Sequence, residues 1–208
     1  MSLLGHAPNR PMTADEGDVP GWFVGGRTAA DDDPQVDRWL VDRARAGDPE
    51  AWEVLIRRHR DRVYRIALRI LGDPHEAEDV TQEVAVHLLT ALAGFTGASS
   101  FTTWLYRVVV NRSLNQRRRH RHDRGITEAD HPTVAGPERT VLARSETDAV
   151  AAALATLPAP LRAALVLHEM EGLSYTDAAA VLDLTESTVR GRIHRARRLL
   201  VHEMREWS

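Results

Sequence analysis

Apolar residues return every three or four positions over most of this 208-residue chain, and no segment alternates in the two-residue rhythm of a strand. From Gln35 to His122 every segment has this helical period. Asp48-Pro49-Glu50 reads as a helix start, aspartate as the cap and proline at the first helical position. Behind it Trp52, Leu55, Ile56, His59, Val63, Ile66, Ala67 and Ile70 form one apolar stripe. Gly72 ends that helix, and Asp73-Pro74-His75-Glu76 opens another whose Ala77, Val80, Val84, Leu88 and Leu92 face a core. After the loop Gly94–Ser100, a further helix begins at Phe101-Thr102-Thr103-Trp104. It runs through Leu105, Val108, Val109 and Leu114 into the basic run Gln116–Arg121.

A second helical unit draws its core from Leu154, Leu157, Leu161, Ala164, Leu165 and Leu167. Beyond it, Ser174 and Asp177 have the spacing of a capping box. Ala178, Ala179, Val181 and Leu182 follow as a small apolar face. Asp183-Leu184-Thr185 is a turn, and Thr185 caps a last helix from Glu186. Val189, Ile193, Ala196 and Leu200 bury one side of that helix, while Arg190, Arg192, His194, Arg195, Arg197 and Arg198 occupy the others. Two short helices about a tight turn, the second strongly basic, suit a helix laid in the DNA major groove. A merely solvated amphipathic helix would explain the arginines but not the cap and turn that accompany them.

The pattern predicts an all-α protein with two helical domains joined by a flexible linker: an acidic disordered tail over 1–34, a bundle over 35–122, a linker over 123–139 and a helix-turn-helix domain over 140–208. Gly125, Pro132, Gly136 and Pro137 mark the linker. Trp22-Phe23-Val24 reads as a chance apolar island in the tail.

The net charge of −3 conceals a polarity, with Asp31-Asp32-Asp33 near the start and basic clusters at Arg107–Arg124 and Arg190–Arg198. Two separate basic clusters predict two contacts with a polyanion. All cationic side chains other than histidine are arginine, which together with abundant alanine fits a GC-rich coding bias. The absence of cysteine removes disulfides and thiolate metal sites. No apolar run reaches membrane-spanning length and no signal-peptide pattern opens the chain, so a soluble cytoplasmic protein without direct membrane insertion is expected.

Three features of the first domain call for a cause. Asp79, Gln82 and Glu83 make a polar patch free of arginine, opposite the Val80/Val84/Leu88 stripe, suited equally to solvent or to a protein partner. The Gly94–Ser100 loop is small and polar beside Phe101, Trp104 and Tyr106, which cannot all point inward. Exposed rings beside small hydroxyls suit unpaired bases; the alternative, equally weighted for Trp104, is that Phe101 and Trp104 are simply core. Arg107, Asn111, Arg112, Asn115, Arg118 and Arg119 then recur at near-helical spacing. Arginine neutralises phosphate and asparagine reads base edges.

Asp73–Val84, followed by Phe101–Asn111, resembles region 2 of extracytoplasmic-function (ECF) sigma factors of bacterial RNA polymerase, in the sigma-70 family. Thr188–Leu200 resembles their region 4, with Leu157-Pro158 and Glu171–Tyr175 also similar. The resemblance spans about Glu50 to Leu200. It implies that the Asp79/Gln82/Glu83 patch meets the clamp helices of the polymerase largest subunit, with region 4 near the flap. It implies −10 contacts from Phe95, Ser99, Ser100, Phe101, Trp104, Arg107, Asn111, Asn115 and Arg118, the Phe95–Phe101 loop capturing a flipped base. The −35 contacts would come from Thr188, Arg190, Gly191, Arg192, His194, Arg195 and Arg198, with Arg190, Gly191, His194 and Arg195 facing bases and Arg192, Arg197 and Arg198 holding phosphate or packing. Gly191 departs from the serine usual there. An anti-sigma factor is a further partner the resemblance implies.

The alternative is a stand-alone helix-turn-helix regulator of duplex DNA. It accounts for Ser174–Leu200 but leaves the Asp79 patch and the Gly94–Phe101 segment without a role. No Gly-rich phosphate loop, His-Glu-x-x-His or Gly-x-Ser-x-Gly motif is present, so no catalytic residue, metal or cofactor is expected.

Overall fold

The computed structural model describes residues 33–123 and 153–206, which lie in helices and short connections. The expectations for residues 1–32 of the tail, for Trp22-Phe23, for all of the linker after Asp123 and for residues 140–152 fall outside the described residues, whereas Asp33 and Pro34, expected in the tail, begin the first helix.

One device starts the first three helices. Asp33 precedes Pro34 at the head of α1 (Pro34–Arg45), Asp48 precedes Pro49 at α2 (Pro49–Leu71), and Asp73 precedes Pro74 at α3 (Pro74–Ala91). Each carboxylate accepts backbone N–H bonds of the first turn: Gln35 at 2.9 Å, Glu50 at 3.0 Å with Ala51 at 3.2 Å, and His75 at 2.9 Å with Glu76 at 3.1 Å. Proline, having no N–H, wastes none of the helix's unpaired donors. The Ala51 bond leads the causes that hold the Asp48 carboxyl below its usual pKa. Gly72, at φ 76°, takes the left-handed conformation that stops α2, its N–H on Leu68 O at 2.8 Å.

α3 tightens into a 3-10 turn, Leu92–Gly94, before the loop leading to α4 (Phe101–Asp123). Ile66, Ala67 and Ile70 of α2, Val80 and Val84 of α3 and Leu105, Val109 and Val110 of α4 are buried against one another. The predicted core positions of α3 are all buried.

In the C-terminal half, α5 (Ala159–Leu165) widens into a π-helical segment, Val166–Met170. α6 (Tyr175–Leu182) and α7 (Glu186–Glu206) meet through Ala178, Val181, Val189, Ile193 and Ala196. The Ser174 cap accepts from Asp177 N at 3.0 Å. Its hydroxyl donates to the Asp177 carboxylate at 2.6 Å, close to the predicted capping box. The turn puts Asp183 in the left-handed region at φ 55°, a conformation aspartate tolerates better than most side chains.

The two halves pack together, a relationship the sequence pattern does not disclose. α2 and α4 carry the contact on one side, α5 and α6 on the other. The wholly buried Arg162 donates across the junction to Ile70 O at 2.7 Å. Within its own half it donates to Ala155 O at 2.6 Å and Leu157 O at 2.8 Å. Carbonyls rather than a carboxylate hold this cation, and burial, then the Arg117 charge, pushes its pKa well down. At the same junction the buried Glu171 accepts from Arg69 at 2.9 Å and from the Tyr106 hydroxyl at 3.1 Å.

Candidate nucleic-acid interface

α4 presents Arg107, Asn111, Asn115 and Arg118 on one exposed side, at intervals of four, four and three residues. With α3 this face borders an open cleft of about 410 Å³ lined by Glu83, His87, Arg107, Asn111, Asn115 and Arg119, among others. Arg112 pairs with Glu83 at 3.0 Å, so one member of the predicted polar patch is engaged from α4. Arg107 donates to Ala180 O in α6 at 2.6 Å, and Arg118 to the Asn115 side chain at 3.3 Å. Asn111 faces the cleft. His87, which the sequence reading passed over, has its pKa lowered by burial and then by the Arg112 charge. Its position one turn after Glu83 was the available signal.

The loop before α4 hangs between two buried rings. Phe95 and Phe101 are 9% and 5% exposed, while Thr96 to Ser100 are all exposed. The rings are 6.1 Å apart and nearly perpendicular. Trp104 lies 5.4 Å from Phe95 and 5.8 Å from Phe101 and is the half-buried member of the trio. Tyr106 is core. The aromatic surface expected beside the loop therefore reduces to Trp104. Gly97, at φ 76°, lets the loop turn back, and Ser100 caps α4 by accepting from Thr103 N at 3.1 Å. Ser99 stands free at the tip, its hydroxyl donating only to Ser100 O at 3.3 Å.

Asp79 and Gln82 lie exposed on the outer face of α3. Val86 and Leu89 continue that face at 67% and 57% exposed. A helix stripe that is polar for one turn and apolar for the next suits a protein partner better than solvent alone.

α7 divides its basic residues by task. The Arg190 guanidinium bonds the Glu186 carboxylate at 2.6 and 3.1 Å and lies 4.0 Å over the Tyr175 ring, itself stacked on His168. The Arg190 bonds are the first cause of a lowered Glu186 pKa. Arg197 pairs with Glu169. Arg192 is half-buried, its pKa lowered by burial and then by Arg195. His194, Arg195 and Arg198 are exposed; Gly191 and Thr188 are half-buried, the latter's hydroxyl 2.7 Å from that of Thr185. A Cβ added at Gly191 would meet nothing within 4 Å, so the helix surface there is open.

Sigma-70 region 2 matches residues 55–123, and Sigma-70, region 4 matches residues 147–200. The chain is 39% identical to the RNA polymerase sigma-H factor of Pseudomonas aeruginosa, over 78% of this chain and 91% of that one. It is 34% identical to the ECF RNA polymerase sigma-E factor of Escherichia coli, with the same coverage. The chain belongs to the ECF group of the sigma-70 family.

Among solved structures, CnrH in complex with the cytosolic domain of CnrY is similar at a TM-score of 0.64 and 29% identity. That match covers 83% of this chain and 99% of the other. The sigma factor RpoE of Bartonella quintana, in complex with the anti-sigma factor NepR, shares the fold at a TM-score of 0.57 and 24% identity, covering 73% of this chain and 93% of that one. The protein is an RNA polymerase sigma factor, which directs core polymerase to promoters and assists their opening. Sigma factors regulate and do not themselves catalyse. Among the described residues no three His, Asp or Glu side chains gather to hold a metal ion, and no helix is long and apolar enough to cross a membrane.

Around this interface three features escaped the sequence reading: the exposed Val86 and Leu89, the cleft histidine, and a buried pair under the loop. The buried pair is Asp37 of α1 and His59 of α2, each 2% exposed, with Nε2 of His59 3.0 Å from Asp37 Oδ1.

Proposed function

We propose a division of labour within this sigma factor. The outer face of α3, with Asp79 and Gln82 continued by Val86 and Leu89, docks on the clamp helices of the polymerase largest subunit. Glu83 sits at its margin and links it to α4 through Arg112. The Phe95–Phe101 loop captures a base flipped from the −10 element. Trp104 flanks that base, and Arg107, Asn111, Asn115 and Arg118 hold the adjoining strand by phosphate and base-edge contacts. α7 enters the major groove of the −35 element, with Thr188, Arg190, Gly191, His194 and Arg195 toward the bases and Arg192 and Arg198 toward phosphate, while the C-terminal half rests near the flap. The protein acts in the cytoplasm and is held in check by an anti-sigma factor, as the NepR complex of the RpoE relative suggests.

The observation that carries this reading is the opposite chemistry of two neighbouring helices. The outward face of α3 has no arginine, whereas that of α4 sets two asparagines between two arginines. A stand-alone duplex binder has no use for the first.

Run-off transcription with core polymerase on a randomised promoter library tests it. Selected templates should share two short elements at a fixed spacing, the downstream one melted. Selection of a single duplex site, or tight specific binding by the isolated chain, would overturn it.

A further inference from the structure

We propose that Asp37 and His59 are positioning residues for promoter opening: this buried pair fixes the first residue of α4 and, through it, the base-capturing loop. The inference rests on the capture reading above.

The Asp37 carboxylate is buried where three elements meet. Oδ1 lies 3.0 Å from His59 Nε2 and 3.0 Å from Arg58 Nε of α2, and Oδ2 accepts from the Thr102 hydroxyl of α4 at 3.4 Å. A carboxylate only accepts, so Nε2 of His59 carries the proton. The other face of the network is aromatic. The His59 ring meets Phe101 edge-on, centroids 5.1 Å apart at 62°, and Phe101 in turn meets Phe95 and Trp104.

This arrangement bears on the loop through a short lever. Phe101 follows Ser100 directly, so the five exposed residues Thr96 to Ser100 are strung between two rings. Shifting Phe101 shifts one end of the loop. An apolar residue at 37 could have filled the space without the cost of desolvating a carboxylate. A hydrogen-bonded carboxylate instead admits one orientation of the His59 ring, and hence one seat for Phe101. Asp37 also precedes residues 55–123, the part of the chain that matches region 2.

The test uses the full chain assembled with core polymerase, on a promoter carrying a fluorescent base analogue in the −10 segment. His59→Leu keeps bulk against Phe101 but cannot bond Asp37. It should slow opening roughly tenfold and flatten the preference for the captured base, since small misplacements of a working group are costly. Polymerase affinity should stay within about twofold. His59→Gln, which can still offer an N–H, should recover most of the loss, and Thr102→Val should give a milder form of the defect even if His59→Leu fails to fold. Unchanged opening and base preference in all three would overturn the proposal. So would a defect in melting temperature and polymerase affinity with base preference intact, because that is simple destabilisation. A Thr96→Ala/Ser99→Ala loop serves as the reference. If it impairs opening while the network variants do not, only this proposal falls; if it too opens normally, the capture reading falls with it.

Discussion

Arg69 and Glu171 lie 102 residues apart in sequence and 2.9 Å apart in space, joining the helix that builds the first half to the elbow before the helix-turn-helix. Tyr106 supplies the second hydrogen bond to the same carboxylate. Glu171→Ala would strip a half-buried Arg69 of this partner and should cost about 2–3 kcal/mol, below the figure for a wholly buried pair. Tyr106→Phe removes one neutral donor and should cost about 1 kcal/mol. Denaturant unfolding of the full chain checks both. Equal losses for the two variants would contradict the geometry.

Asn111→Ala should impair opening of the −10 segment while leaving core polymerase binding within about twofold, because Asn111 faces the cleft and not the outer face of α3. Leu89→Asp should do the reverse, since a charge placed in an apolar docking stripe leaves it unpaired on binding. Pull-down of core polymerase, paired with a melting assay on the same preparations, separates the two effects.

Arg195→Ala should weaken binding of the assembled polymerase to the upstream element by about 1–3 kcal/mol if it reads a base. A lower salt slope with unchanged sequence preference would identify it as a phosphate contact. Arg190→Ala should reduce upstream recognition as well, and it should also release Glu186 and Tyr175, so its loss will show in the stability of α7. Gly191→Ala meets no obstruction. It should stabilise the protein by about 0.5–1 kcal/mol through helix propensity. Gly191→Ser adds a polar group on the same open surface and should shift the −35 preference.

His87 titrates below the usual histidine value of 6.5, because burial and the Arg112 charge both disfavour its cation. The sign follows from linkage. The unfolded chain takes up the proton first, so the stability tied to neutral His87 is full above 6.5 and declines as pH falls from there through the folded-state value. Following the His87 ring by NMR should give a low apparent pKa that rises in Arg112→Ala. An unshifted value in both proteins would show that the ring is better solvated than its surroundings imply.

Much of the architecture is written locally. Three Asp-Pro pairs start three helices, Gly72 stops one, and Ser174 and Thr185 cap the helix-turn-helix pair, all within three or four residues of the groups they satisfy. Beyond the surface positions of α3, what escaped the sequence is long-range. Arg162 falls within an alanine-rich stretch and reads as a solvated helix charge, yet it is fully buried because three carbonyls converge on it. Asp37 looks like a first-turn acid, and His59 like one more residue of an apolar stripe. Nothing in a one-dimensional pattern announces that they meet. The aromatic loop was ambiguous for the same reason. Which of Phe95, Phe101 and Trp104 stays near solvent depends on which helix lies behind them.

The Arg162 bond to Ile70 O has a thermodynamic corollary. Any partner that needs the two halves at a distance must first strand a guanidinium and a main-chain oxygen, and let water take their place. The occupancy such a partner attains is its intrinsic grip multiplied by the share of molecules already parted. Substitutions at Arg69, Arg162 or Glu171 can therefore retune how often a start site is filled, from positions that touch no nucleotide.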